Sequence, residues 1–295
     1  MSGSLALKLD YVGSTTHRSN VGGLYGTALT PGPGDQSARS PYPYAPATFY
    51  DRSVGTGSYN ALQVQLDKRY TNGFSYQVAY TWAKSLTVDD GWFGIEGVSP
   101  QNPYDPQASR GYSATNIPHL FVANGLYAIP VGPGKRFSTG NRFGDYILGN
   151  WQVNNIFTWR NGQNFNVEDS NDAANTGAGQ ERAEVVGSIR NGPHTQAQWF
   201  NTTGYALPAL YTYGNGYTND QQDQRWINLD SSVIRSFPIW REKQFQFRAE
   251  AFNLLNHPIF GQPGNDVNSP KNFGAIGTSQ ANSNRELQFS GKIVF

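Results

Sequence analysis

Alternation with a period of two recurs along this chain and restricts its fold more than any other feature. Leu5, Leu7, Leu9 and Tyr11 alternate with Ala6, Lys8 and Asp10, and Leu62, Val64 and Leu66 alternate with Gln63, Gln65 and Asp67. Successive side chains of a strand point to opposite sheet faces, so each segment has one apolar and one polar side. At Thr71-Asn72-Gly73 the Asn and Gly accept the positive φ of a tight turn. The chain then returns with Phe74, Tyr76, Val78, Tyr80 and Trp82 opposite Ser75, Gln77, Ala79 and Thr81. Strands are expected near 5–12, 59–70, 74–86, 118–130, 149–160, 226–237, 243–254 and 285–295, in one antiparallel sheet with sequential neighbours paired. No segment shows convincing helical periodicity.

The connections differ in length. Short ones fall near Thr71–Gly73 and Pro238–Glu242, and a medium one near Val131–Asn150. Long ones, rich in Gly, Pro, Asn, Asp and Ser, fall at Gly13–Ser58, Lys84–Pro118, Asn161–Arg225 and Leu255–Asn284 and read as loops. Short turns at one end and long loops at the other are the pattern of a bacterial outer-membrane barrel, with the turns periplasmic and the loops extracellular. The composition agrees. Aromatics make up 14% and charged residues 15%, at a mean hydropathy of −0.56, whereas charged residues are about 25% of an ordinary soluble domain. The polarity comes from Asn, Gln, Ser, Thr and Gly. No run approaches the ~18 apolar residues of a membrane helix, but a barrel strand alternates and needs none.

The expected fold is therefore all-β: an antiparallel transmembrane β-barrel, partial, with about eight main strands and long extracellular loops. Leu62, Val64, Leu66, Tyr76, Val78, Tyr80, Phe245 and Phe247 should face lipid, and Gln63, Gln65, Gln77, Arg248 and Glu250 the lumen. A secreted β-sandwich or propeller also alternates. The Tyr and Trp near strand ends and the hydrated opposite faces favour the barrel. With eight strands legible, the sheet is expected to stay open rather than pair residues 5–12 with 285–295.

Several function classes are disfavoured. A net charge of +1 gives no basic stripe for nucleic acid. With no cysteine, disulfide frameworks, thiolate metal sites and Cys nucleophiles are absent together. His17, His119, His194 and His257 lie at no metal-ligand spacing, and no Ser/His/Asp arrangement is readable. The expectation is a non-enzyme without cofactors.

Several segments resemble the barrel of TonB-dependent outer-membrane transporters, in particular the Oar-like group. They are Leu9-Asp10-Tyr11-Val12-Gly13-Ser14, Tyr59-Asn60-Ala61-Leu62-Gln63-Val64-Gln65-Leu66, Lys68-Arg69-Tyr70-Thr71-Asn72-Gly73 and Ala79-Tyr80-Thr81-Trp82-Ala83-Lys84-Ser85. The most specific runs from Phe247-Arg248-Ala249-Glu250-Ala251-Phe252 through Asn253-Leu254-Leu255-Asn256-His257-Pro258, followed by Phe260-Gly261, Phe273-Gly274 and Arg285-Glu286. The resemblance covers most of the chain. It implies a barrel of about 22 strands filled by an N-terminal plug that engages the TonB energy-transducing complex. Residues 1–295 are then expected to be the C-terminal part of that barrel, with the plug and signal peptide absent, and to take up or bind a substrate only together with the rest of the transporter. Outer-membrane lipid and the barrel assembly machinery are the other partners it implies. The competing readings are a soluble secreted β-protein, such as a carbohydrate-binding module or glycosidase, and a non-transporting surface-scaffold barrel.

Candidate site residues follow from the pattern. Asp230, Arg248 and Glu250 share the polar face and read as a cross-strand ladder in the lumen. Gly291, Ile293 and Phe295 end the chain as an outward-facing strand with a terminal aromatic, a candidate assembly signal. Trp92 and Phe93, in a long loop, could stack on a ligand. The acidic groups Asp89–Asp90 and Glu168, Asp169 and Asp172 read as solvated loop charge rather than a Ca²⁺ loop. Gly132-Pro133-Gly134-Lys135 lacks phosphate-loop spacing and reads as a turn.

Overall fold

The computed structural model describes residues 4–45, 47–89, 99–138, 140–179, 181–277 and 283–295. Eight long strands form one sheet: β1 (Leu5–Tyr25), β2 (Thr48–Thr71), β3 (Phe74–Thr87), β4 (His119–Ala128), β5 (Gln152–Arg160), β6 (Trp226–Trp240), β7 (Lys243–Phe252) and β8 (Glu286–Val294). Each pairs antiparallel with the next, and the two-residue strand Gly111–Tyr112 adds to the end of β3. Among the described residues no ladder joins β1 to β8, so the sheet is open, as its strand count led one to expect.

Register follows from side-chain character. Leu9 lies opposite Val64, Val64 opposite Tyr80, Tyr80 opposite Phe121, Phe121 opposite Trp159, and Trp159 opposite Ile227. Across the other half, Val233 meets Ala249 and Ala249 meets Phe289. These rows make one continuous apolar face. The interleaved rows are polar, as in Asp67 opposite Gln77 and Gln77 opposite Asn124. Slipping one strand by a residue would invert every side chain on it, so register is strongly specified. The expected lipid-facing and lumen-facing sets separate onto these two faces. Leu9 is 64% exposed, which suits a surface whose solvent is hydrocarbon. Between β2 and β3 the turn has Asn72 at φ 55° and Gly73 at φ 81°, the left-handed region that Asn-Gly enters cheaply.

Three expectations need correction. Residues 13–58 are not a long loop: β1 and β2 stay paired from Leu5–Lys68 out to Tyr25–Thr48, with an irregularity at His17–Asn20 where Arg18 has φ 59°. Stretches such as Ser14-Thr15-Thr16 and Gly55-Thr56-Gly57-Ser58 carry no apolar alternation, and so no strand signal was legible there. Residues 161–225 hold short strand pairs and a small core of their own. The connection between β4 and β5 contains a helix, α1 (Arg142–Leu148). Its seven residues are too few to show a period.

Helix α1 lies on the apolar face. Asn141 caps its start by accepting from Phe143 N at 2.9 Å. At its end, Arg235 donates to the carbonyls of Tyr146 and Ile147. Arg235 sits opposite Phe247 and in the same parity as Val233 and Phe237, so it projects from the apolar face. It is only 3% exposed, with its guanidinium 4.3 Å from the Phe237 ring centroid and 5.7 Å from that of Trp151. A cation on this face would be costly in lipid. The negative end of the helix and the aromatic rings replace its water. Trp151 adds a bond from its indole N–H to Ile147 O at 3.0 Å. Replacing Arg235 by Met should unlatch the helix and cost about 1.5–3 kcal/mol, the usual worth of hydrogen bonds to a charged group. A thermal melt of the detergent-held protein checks this, and an unchanged melting temperature would rule the latch out.

Candidate functional site

The polar face is a hydrogen-bonded surface rather than a set of isolated groups. Asp67 on β2 accepts from Gln65 at 2.7 Å and from Gln77 on β3 at 2.8 Å. Gln77 in turn accepts from Asn124 on β4 at 3.3 Å. Farther along the sheet, Asn154 on β5 donates to Ser232 on β6 at 3.2 Å. An open depression of ≈ 590 Å³ lies on this face, lined by Asp67, Gln77, Asn124 and Asn154 among others. Amides and hydroxyls from Ser75, Gln77, Asn124, Asn154 and Asn155 share its lining with Asp67, Lys68 and Arg69 and with Leu126 and Ile156, so it offers donors, acceptors, charge and some apolar surface together.

The candidate ladder is brought together only in part. Arg248 reaches Glu250 along the same strand at 3.5 Å. Asp230 instead accepts from Asn253 N at 2.9 Å, closing the end of β7. Its carboxylate thus satisfies a backbone donor where the sheet gives out. Gly291 and Ile293 lie opposite Phe247 and Phe245 on the apolar face. A Cβ at Gly291 would stand 2.9 Å from the Phe245 ring, so the missing side chain is where that ring lies. Phe295 carries the Lys243 ammonium 5.1 Å from its centroid. Trp92, Phe93 and Asp90 lie outside the described residues. Asp89 accepts from Gly22 N at 3.0 Å. Lys135 N donates to Gly132 O at 3.1 Å, so the Gly-Pro-Gly-Lys segment is a turn. His119 bonds Tyr80 through Nδ1 at 2.7 Å. Among the described residues no group of three or more His, Asp or Glu is placed to hold a metal ion.

The site that sequence reasoning missed is a cap formed by the extracellular loops together. Phe165, Val167, Ala183, Phe200 and Tyr205 pack into a core, joined by Phe273 from the β7–β8 connection. Around it runs a buried polar network. Arg182 donates to Ser109 and Thr218, each at 3.1 Å. Asn116 donates to Asn164 at 3.0 Å, and Asn219 to Tyr112 O at 2.7 Å. From the β1–β2 hairpin, Gln36 reaches Asp172 at 2.9 Å and Asn175 at 3.0 Å. The one signal for this cap was the scatter of Phe, Val and Tyr within a stretch otherwise composed like a loop.

Burial sets the protonation of its acids. Glu181, 2% exposed, accepts from Ala174 N at 3.1 and 3.2 Å. Desolvation, aided by the nearby Asp172 and Asp169, pushes its pKa up to about 8. Asp220, which accepts from the Tyr205 hydroxyl at 2.9 Å, is raised to about 6, again mainly by burial. A carboxyl whose folded pKa is raised gives stability that is complete below its unfolded pKa and is lost as pH climbs through the folded one. The cap should therefore weaken from pH 7 to pH 9, above the range of Asp220, through Glu181. Glu181→Gln should remove that loss, read by hydrogen exchange of residues 164–222 at the two pH values. A variant that weakened as the parent does would show that Glu181 is not the titrating group.

Comparison with known proteins bears on the whole chain. The family model described as an outer membrane beta barrel domain matches residues 1–288. Among curated proteins none matches significantly. Among solved structures, the outer membrane transporter YddB from Escherichia coli is similar at a TM-score of 0.48 and 8% identity, over 99% of this chain and 30% of the transporter. The chain thus spans less than a third of that protein's length. The family match leaves only a few terminal residues outside it; the chain belongs to the outer membrane beta barrel domain family and is a β-barrel protein of the bacterial outer membrane.

Proposed function

We propose that the chain is a segment of the wall of a TonB-dependent transporter, serving substrate binding and uptake rather than chemical conversion. One observation supports this most: the sheet runs without a break from β1 to β8, its largely polar face interrupted by Leu120, Val122 and Leu126 on β4 and Ile156 on β5, while among the described residues no further strand lies beside either edge. In a bilayer each unpaired backbone group costs several kcal/mol, so β1 and β8 need further strands beside them. A face this broad, bearing amides, hydroxyls and charged groups across most of its strands, suits a wide lumen occupied by a plug. On this reading the barrel assembly machinery inserts the wall, and the plug engages the TonB complex. The extracellular cap stands at the entrance and is the part a substrate meets first.

The test uses photo-crosslinking residues at Lys8 and Gln288, on the polar face of the two edge strands, in cells producing the protein. Crosslinks from both positions to additional wall strands or a plug are expected. Uptake of a panel of sugars, peptides and metal chelates should cease when the TonB complex is removed. A Lys8–Gln288 crosslink within one chain would mean a self-closed small barrel. Uptake indifferent to TonB, or none at all, would leave a surface scaffold instead.

A further inference from the structure

We infer that α1 is an interfacial anchor that lies in the periplasmic leaflet of the outer membrane, outside the barrel wall, with neighbouring basic side chains on lipid phosphates. The inference rests on the outer-membrane location of the chain and not on the TonB-dependent reading. The first observation is placement. Arg235, Phe237 and Phe247 belong to the apolar face, and α1 packs on them: Tyr146 lies 5.8 Å from Phe237, and Trp151 lies 6.2 Å from Phe247, centroid to centroid. The helix is therefore on the lipid side of the sheet. It also sits at the periplasmic end, since it belongs to the connection between Ala128 and Gln152, which pair with each other at the foot of β4 and β5. The β6–β7 hairpin runs on past that level to Trp240, giving the helix a wall to lie against.

The second observation is what α1 shows on its other side. Phe143 is 70% exposed, and Tyr146, Ile147 and Leu148 are exposed as well. Four exposed apolar side chains on one short helix would be a liability in water, but continuity with the lipid-facing wall gives them hydrocarbon. The third observation is charge. Lys135, Arg136 and Arg142 flank the helix, and Arg241 and Lys243 stand at the adjacent turn, all exposed. The acids nearby are Glu242 and Asp145, and Asp145 is buried and accepts from Ser138 at 2.9 Å. An apolar helix face beside clustered Lys and Arg is the composition of a helix that lies in a headgroup layer and prefers anionic lipid. Aromatic rings close to the cations, such as Trp240 with Arg241 at 4.6 Å, suit the same depth.

The chain has no cysteine, so single labels are unambiguous. The full chain carrying an environment-sensitive fluorophore at Phe143→Cys would be reconstituted in vesicles containing phosphatidylglycerol and quenched with spin-labelled lipids or aqueous iodide. Leu62→Cys on the wall and Tyr217→Cys in the cap serve as references. The Phe143 label should be quenched by a shallow lipid quencher at least about twofold more than by iodide. That preference should fall when Arg136→Glu and Arg142→Glu are added, or when the anionic lipid is replaced by phosphatidylcholine. A Phe143 label quenched by iodide as strongly as the Tyr217 label would overturn the inference. So would a label silent to both quenchers, which would mean that a second copy, a plug or a periplasmic protein covers the helix. A Leu62 label that no lipid quenches would remove the membrane wall itself, and the anchor with it.

Discussion

In hydrocarbon a backbone N–H or C=O has no water to turn to, so each must find its partner within the protein. The antiparallel ladder from β1 to β8 meets that demand strand by strand. Everything else about the wall follows from keeping the ladder in register. Once Leu9, Val64, Tyr80 and Phe121 are aligned, the intervening Asp67, Gln77 and Asn124 must gather on the other side, and their mutual hydrogen bonds come with the alignment. The polar network is thus a by-product of the apolar rows as much as a design of its own. The same demand makes the free sides of β1 and β8 the least comfortable part of the molecule.

Arg235 shows how an exception to the two-faced rule is accommodated. It places a cation where the neighbours are Val233, Phe237 and Phe247. Instead of water it receives the carbonyl end of a short helix and the faces of aromatic rings. Helix and arginine depend on each other. A seven-residue helix has little intrinsic stability, and a buried guanidinium without acceptors is expensive.

Much of the wall was legible because amphipathic strands advertise themselves. Phe74 to Trp82 and Phe245 to Ala251 need nothing beyond alternation to be placed on a sheet and assigned a face. The signal failed wherever the two faces share one solvent. Just beyond Val12 the β1–β2 hairpin leaves residues 13–18 exposed whichever face they lie on, so Thr15, Thr16 and Ser58 carry no pattern although they are paired as regularly as Leu9 and Val64. The cap was hidden for another reason. Its core unites Phe165, Phe200 and Phe273, which are far apart in sequence, and its bonds, such as Arg182 to Ser109, join different loops. No local window contains both partners. Asp230 was assigned the right face but the wrong partner, because parity fixes direction and cannot tell whether a carboxylate meets a side chain or the end of a neighbouring strand.

The lacing of the cap bears on the mechanics of an unclosed wall. Bonds from Gln36 to Asp172, from Asn116 to Asn164 and from Glu168 to Asn265 tie the β1–β2, β3–β4, β5–β6 and β7–β8 connections into one body. The wall then resembles a fan whose ribs are gathered at the outer rim. Its curvature is held there by a girth of side chains that spans from one edge of the sheet to the other. At the inner rim the β2–β3 and β6–β7 turns are tight and each joins only its own two strands. Bending or splaying of the ribs would therefore be concentrated at the periplasmic end, where α1, latched to β6 through Arg235, is the tie described between neighbouring hairpins.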